Sequence, residues 1–177
     1  VVMISPSATS PGLTTLDDKG FFFRTAPSDA RGGQVLADIT KDRRIKSVAI
    51  TYTNNDYGKG LADVYKASVE AHGIEVTTMS AHEDGKADYS SEVATLASAG
   101  GDAIAVIGYL DQGGKGIIQG ALDSGSFDTF ILSDGMIGDS LTDAFGEDLN
   151  KSFGSLPGSM NKKTAGTFAS VAKAAGI

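Results

Sequence analysis

Four short apolar runs recur along this chain, each running into turn formers: Ile45 to Thr53, Ile74 to Ser80, Ala103 to Tyr109 and Thr129 to Ser133. Their first residues stand 29, 29 and 26 positions apart, the length of a strand plus a crossover helix. The segments between them have helical spacing, with Leu61, Val64, Tyr65 and Val69 in one, Tyr89, Val93 and Leu96 in the next, and Ile117, Ile118, Ala121 and Leu122 in the third. A further helix precedes the first run, with Ser28 or Asp29 as its N-cap and Val35, Leu36 and Ile39 on its buried face. Runs such as Ala103-Ile104-Ala105-Val106-Ile107 are continuously apolar, which is how strands covered by helices on both faces read. The pattern predicts an α/β fold: a doubly wound parallel sheet in three layers, α/β/α.

Punctuation supports that reading. Gly73, Gly100-Gly101 and Gly125 fall just after the expected helices, at C-cap positions that need a left-handed backbone. One boundary is expected near Leu156-Pro157-Gly158-Ser159, where a last short strand gives way to a turn and a terminal helix over Phe168 to Ile177. Pro6, Pro11 and Pro27 bracket another, between an opening strand at Val1-Val2-Met3-Ile4 and the repeating body. The chain starts on that strand with no leader, so either a leader and more have been removed or this is a piece of something longer.

Composition narrows the function. At 177 residues the chain suits one α/β unit plus an appendage. Twenty-two acidic against 15 basic residues give a net charge of -7, the wrong sign for gripping a nucleic acid or an anionic membrane surface. Cysteine is absent and only His72 and His82 are present, which removes thiolate chemistry and most histidine-dependent catalysis. The longest apolar run, Ala103 to Leu110, falls far short of the ~18 residues of a membrane span. The sequence calls for no cofactor and no direct membrane insertion.

In an open parallel sheet, ligands gather beyond the carboxyl ends of the strands. That rule selects Thr53 to Tyr57, Tyr109 to Gln112 and Ser133 to Gly135, and within them Tyr57, Tyr109 and Asp134 as candidate binding residues. Enzyme motifs come close and fail. Gly108 to Gly116 opens a helix after a strand, but Gly114 and Lys115 stand where a phosphate-binding loop needs Lys and Ser or Thr. Gly138-Asp139-Ser140-Leu141 spells a GDSL-type hydrolase block, with Ser140 as nucleophile, yet no histidine follows residue 82 to serve as its base; Asp139 as a helix N-cap explains the block better. Ser159-Met160-Asn161-Lys162 is a loose S-x-x-K match, and His82-Glu83-Asp84 and Asp17-Asp18-Lys19 read as solvated loops rather than metal sites. A receiver-type phospho-acceptor would need further acids after its first strand and a lysine after its fifth; Asn54-Asn55-Asp56 and Gly135 do not supply them.

Ile4-Ser5-Pro6-Ser7-Ala8-Thr9-Ser10-Pro11 resembles the ISPxAT(S/A)P loop of type I periplasmic solute-binding proteins of the branched-chain amino acid family. The similarity continues in order through Phe23-Arg24-Thr25, Ser28-Asp29, Asp56-Tyr57-Gly58-Lys59-Gly60-Leu61, Asp88-Tyr89-Ser90, Gly108-Tyr109 and Ser133-Asp134-Gly135. The resemblance implies a non-catalytic, periplasmic binding module with two lobes that close on a ligand and hand it to a membrane ABC permease. It divides the chain into residues 1–23, the end of a first-lobe strand with its ligand loop and hinge entry; 24–157, a second-lobe α/β domain; and 158–177, a hinge return and a helix of the first lobe. It also implies that the Ser7 carbonyl and the Thr9 hydroxyl and amide meet a zwitterion, that Tyr57 and Tyr109 close over it, and that Asp134 pairs with its ammonium. Asp134 is often Glu in that family, and Ser7 replaces a more usual Ala. A ligand-sensing domain on the same fold is the remaining alternative.

Overall fold

A computed structural model describes residues 1–158 and 170–176. The chain opens with a two-stranded parallel sheet, β1 (Met3–Ser5) beside β2 (Phe22–Arg24). Then come α1 (Asp29–Asp42), β3 (Ser47–Thr53), α2 (Asp56–Ala71), β4 (Glu75–His82), α3 (Ser90–Ala99), β5 (Ala103–Ile107), α4 (Gly114–Asp123), β6 (Phe130–Leu132), α5 (Asp139–Phe145) and β7 (Phe153–Gly154). β3 to β7 form one sheet in the order β4-β3-β5-β6-β7, every pair parallel. The connections run outward in both directions from the β3/β5 neighbours, so those two strands mark the topological switch point.

Two apolar clusters cover the two faces, as continuously apolar strands require. Leu36 and Ala37 of α1 and Leu61, Ala62, Tyr65 and Val69 of α2 meet Val48, Ile50, Ala105 and Ile131 on one face. Val93 and Leu96 of α3, Ile117, Ile118 and Ala121 of α4, and Leu141 and Phe145 of α5 meet Ile104, Val106, Phe130 and Leu132 on the other. Each large side chain fully buried this way contributes roughly 1.5–3 kcal/mol. The Tyr65 hydroxyl, between α1 and α2, is hydrogen-bonded to Thr40 Oγ1 at 3.0 Å, so the polar tip of that core residue is satisfied. Gly73, Gly100 and Gly125 follow their helices at φ of +76°, +70° and +64°, as expected of C-caps.

Several local expectations are corrected. Ser28, not Asp29, is the N-cap of α1: its side chain accepts the Ala30 N–H at 3.2 Å. In α1 Leu36 is buried while Val35 and Ile39 are only half-buried. Gly138, not Asp139, caps α5, and Asp139 is its first residue. His82 is no solvated loop residue; it ends β4 at 1% exposure and binds Thr51 Oγ1 through Nδ1 at 2.8 Å. Burial holds its pKa below the usual imidazole value, against the pull of Asp84, Glu92 and Glu83. Asp18, in the charged run, folds a turn by accepting the Gly20 and Phe22 N–H groups. The expected helix start at Phe168 and the S-x-x-K tetrad from Ser159 lie outside the described residues, as does much of the proposed 158–177 segment; residues 170–174 are helical.

Tyr57 is positioned by the first turn of α2. Asn55 caps that turn, its Oδ1 accepting the Gly58 N–H at 2.9 Å, and Gly58 lies so close to Thr53 that a Cβ there would overlap the Thr53 carbonyl. Gly58→Ala is therefore expected to lower stability by about 2–4 kcal/mol, the size of a severe steric defect, which urea unfolding would measure.

Candidate functional site

The candidate site forms where the strands end. Tyr57 follows β3, Tyr109 follows β5 and Asp134 follows β6, and parallel pairing brings all three to one edge. The Tyr57 and Tyr109 rings stack with centroids 5.3 Å apart at 29°. The Tyr57 hydroxyl donates to Asp134 Oδ1 at 2.6 Å and is hydrogen-bonded to Ser133 Oγ at 3.1 Å. Burial raises the phenol pKa above its ordinary value, and the adjoining Asp134 carboxylate raises it further, so Tyr57 stays a neutral donor.

The opposite wall comes from the loop after β1. Ser5 Oγ accepts the Ala8 N–H at 3.0 Å, which turns the loop back on itself. The Arg24 guanidinium then ties the loop down by donating to the Ser10 carbonyl at 2.8 Å. Ser7 and Thr9 thereby face Tyr57, Tyr109 and Asp134 across an open cleft of about 480 Å³. All five candidate residues line that single cleft. Its other lining residues include Leu13, Gly135, Leu156 and Pro157, so apolar surface surrounds a few convergent polar groups, the usual make-up of a small-molecule site.

Asp29 is a site residue that sequence reasoning misses. It is 6% exposed, and its Oδ2 is buried without a hydrogen-bond partner. Its N–H donates to the Thr9 carbonyl at 2.9 Å, which joins α1 to the loop after β1. Burial pushes its carboxyl up to about 6; the Thr9 hydroxyl opposes this, the Asp134 charge adds to it, and Arg24 opposes it. Asp29 and Asp134 both line a smaller recess of about 150 Å³, walled by Val35, Leu36, Leu61 and Leu156, beside the cleft. The available signal is the pair Ser28-Asp29: one residue suffices to cap a helix, which leaves the neighbouring acid unexplained.

The competing chemistries find little to build on. Ser140 stands in the first turn of α5. Of the two imidazoles, that of His72 pairs with Asp38 at 2.8 Å and that of His82 binds Thr51. Among the described residues no group of three or more His, Cys, Asp and Glu could hold a metal ion. No described helix is long and apolar enough to cross a membrane.

Comparison with known proteins gives a family and a fold. The family described as "Receptor family ligand binding region" matches residues 1–169. The "Leu/Ile/Val-binding protein homolog 3" of Brucella melitensis biotype 1 is 36% identical over 115 residues, 64% of this chain and 31% of that protein. The crystal structure of a leucine binding protein, LivK, from Thermotoga maritima MSB8 superposes with a TM-score of 0.78 at 24% identity, covering 98% of this chain and 50% of that one; at that identity it attests the fold. An ABC transporter substrate-binding protein from Desulfitobacterium hafniense, solved in complex with Leu, gives a TM-score of 0.60 at 28% identity, over 76% of this chain and 40% of that one. The chain thus spans between about a third and a half of these proteins' lengths.

Asp29 makes stability depend on pH. Its carboxyl titrates near 6 in the fold and near 3.9 in an unfolded chain, so between those values the folded state holds the extra proton and stability falls as pH rises. Above about pH 6 the full cost is present, on the order of 2–3 kcal/mol. Asp29→Asn is expected to stabilise the protein by that order at pH 7.5 and to leave it nearly unchanged at pH 4 and below, as denaturant melts across that range would register.

Proposed function

We infer the function from one premise: this chain belongs to the family of receptor ligand-binding regions, as a type I periplasmic binding protein of the branched-chain amino acid transporter type. On that footing it is the ligand-recognising part of the substrate-binding component of an ABC transporter. It holds a small amino acid or related zwitterion in the cleft without transforming it, and it hands that solute to a membrane permease from the periplasm. Residues 24–157 act as a second lobe, and residues 1–23 as the end of a first-lobe strand with its ligand loop.

The observation that carries this reading is the convergence of one carboxylate, two stacked phenols and the Ser7–Thr9 loop on a single cleft. Asp134 meets the ammonium. The Ser7 carbonyl and the Thr9 hydroxyl complete its shell, and the two tyrosine rings supply flat apolar area with a hydroxyl at one edge. The bound leucine of the Desulfitobacterium protein supports an aliphatic amino acid as the ligand class.

Calorimetric titration of the gene product carrying this chain with leucine, isoleucine, valine and their amides tests the reading. Binding is expected, and Asp134→Ala is expected to weaken it about 10- to 100-fold, the loss of a charge-assisted hydrogen bond of ~1.5–3 kcal/mol. Absence of binding by every amino acid, amide and carboxylate tried sinks the transport reading. Turnover of a simple ester that Ser140→Ala abolishes would replace it with hydrolysis.

A further inference from the structure

Ser133 is the point where three loops of the site meet. Its side chain is 0% exposed. Its Oγ accepts the N–H of Gly108, the residue after β5, at 3.2 Å. It is hydrogen-bonded at 3.1 Å to the Tyr57 hydroxyl carried by α2. It immediately precedes Asp134 in the loop after β6.

Counting protons orders these contacts. Tyr57 has one phenolic proton, and the 2.6 Å contact to the Asp134 carboxylate claims it, because hydrogen bonds to an ionised acceptor are shorter and stronger. The Ser133 hydroxyl proton is directed at the Gly108 carbonyl at 3.5 Å, which leaves its oxygen facing the Tyr57 hydroxyl at 3.1 Å as a second, weaker acceptor of the phenolic proton. The Gly108 N–H, fixed by the end of β5, holds Ser133 Oγ in that orientation.

The geometry points to Ser133 as a positioning residue for ligand binding: it holds the Tyr57 hydroxyl on Asp134 Oδ1, so that the carboxylate is fixed in the cleft with Oδ2 left for a cation. Ser133 itself lies beneath the cleft surface and is absent from its lining. Its effect on affinity passes through Tyr57. This inference rests on the amino-acid-binding reading above.

The test is a double-mutant cycle, with L-leucine as the probe and calorimetry on the gene product carrying this chain. Ser133→Ala is expected to raise Kd about 5- to 20-fold, and Tyr57→Phe by a similar factor. The double variant is expected to bind within about twofold of Tyr57→Phe alone, since the serine has nothing left to position. A merely structural role would instead give multiplicative losses in the double variant, and that outcome overturns the inference. So does an unchanged Kd in Ser133→Ala. Ser133→Cys, close in shape but a weak acceptor, is the second variant should the alanine protein fail to fold. Made alone, it is expected to weaken binding; combined with Tyr57→Phe, it is expected to add nothing, and a loss in both settings overturns the inference. A wild-type protein that binds no amino acid defeats the transport reading itself, whereas wild-type binding with a silent Ser133 defeats only the serine's role.

Discussion

Parallel strands all end on the same edge of their sheet, and this constraint generates the rest of the site. With the order β4-β3-β5-β6-β7, the loops leaving β3 and β5 head for opposite faces, and a crevice opens between them that needs no additional structural device. Tyr57 and Tyr109 stand on the two sides of that divergence, and Asp134 arrives from the next strand along. An antiparallel sheet carrying the same residues would deliver them to both ends. The two-layer helical cover is the counterpart of the same constraint, because strands buried on both faces hold their ends in a fixed relation.

The electrostatics of the cleft run against stability. The Asp134 charge helps to raise the Asp29 carboxyl, and one oxygen of Asp29 is buried without a partner. The recess that both acids line also contains Arg31, and Arg24, a cation that acts on Asp29, is committed to the loop carbonyls. Burial, reinforced by the Asp134 carboxylate that holds its proton, keeps Tyr57 neutral.

How much of this is legible in the chain follows from what each pattern encodes. Helix and strand positions are legible because β5 and α4 carry long, unambiguous apolar periodicities, and the strand-end rule then picks Tyr57, Tyr109 and Asp134 without any structure. His82 misleads because an acidic tripeptide suggests solvent, whereas pairing with β3 at Thr53 carries β4 through to it. Asp29 misleads because two adjacent residues can each cap a helix, and the sequence does not say which is left to turn inward. Ser133 enters the sequence reading only as a neighbour of Asp134; its contacts to Tyr57 and Gly108 join positions 76 and 25 residues away, a separation that no local pattern reports.

The glycines of the site are what allow these long-range contacts to close. A Cβ on Gly135 would overlap the Gly108 carbonyl, and it would also lie 3.2 Å from the Tyr57 hydroxyl and 3.3 Å from Tyr109 Cδ1. A Cβ on Gly108 would press to 3.1 Å against His82 Nε2. The backbones after β5 and β6 therefore approach each other as closely as they do because Gly135 carries no side chain, while the bare Gly108 lets the end of β5 sit against His82 and Thr53. That approach is what lets a phenol from α2 reach both Ser133 and Asp134. In this chain the acid is one methylene shorter than a glutamate would be, so a carboxylate at this depth depends on the close packing beneath it. The small residues at 108 and 135 belong to the geometry of the cleft as much as the tyrosines and the acid do.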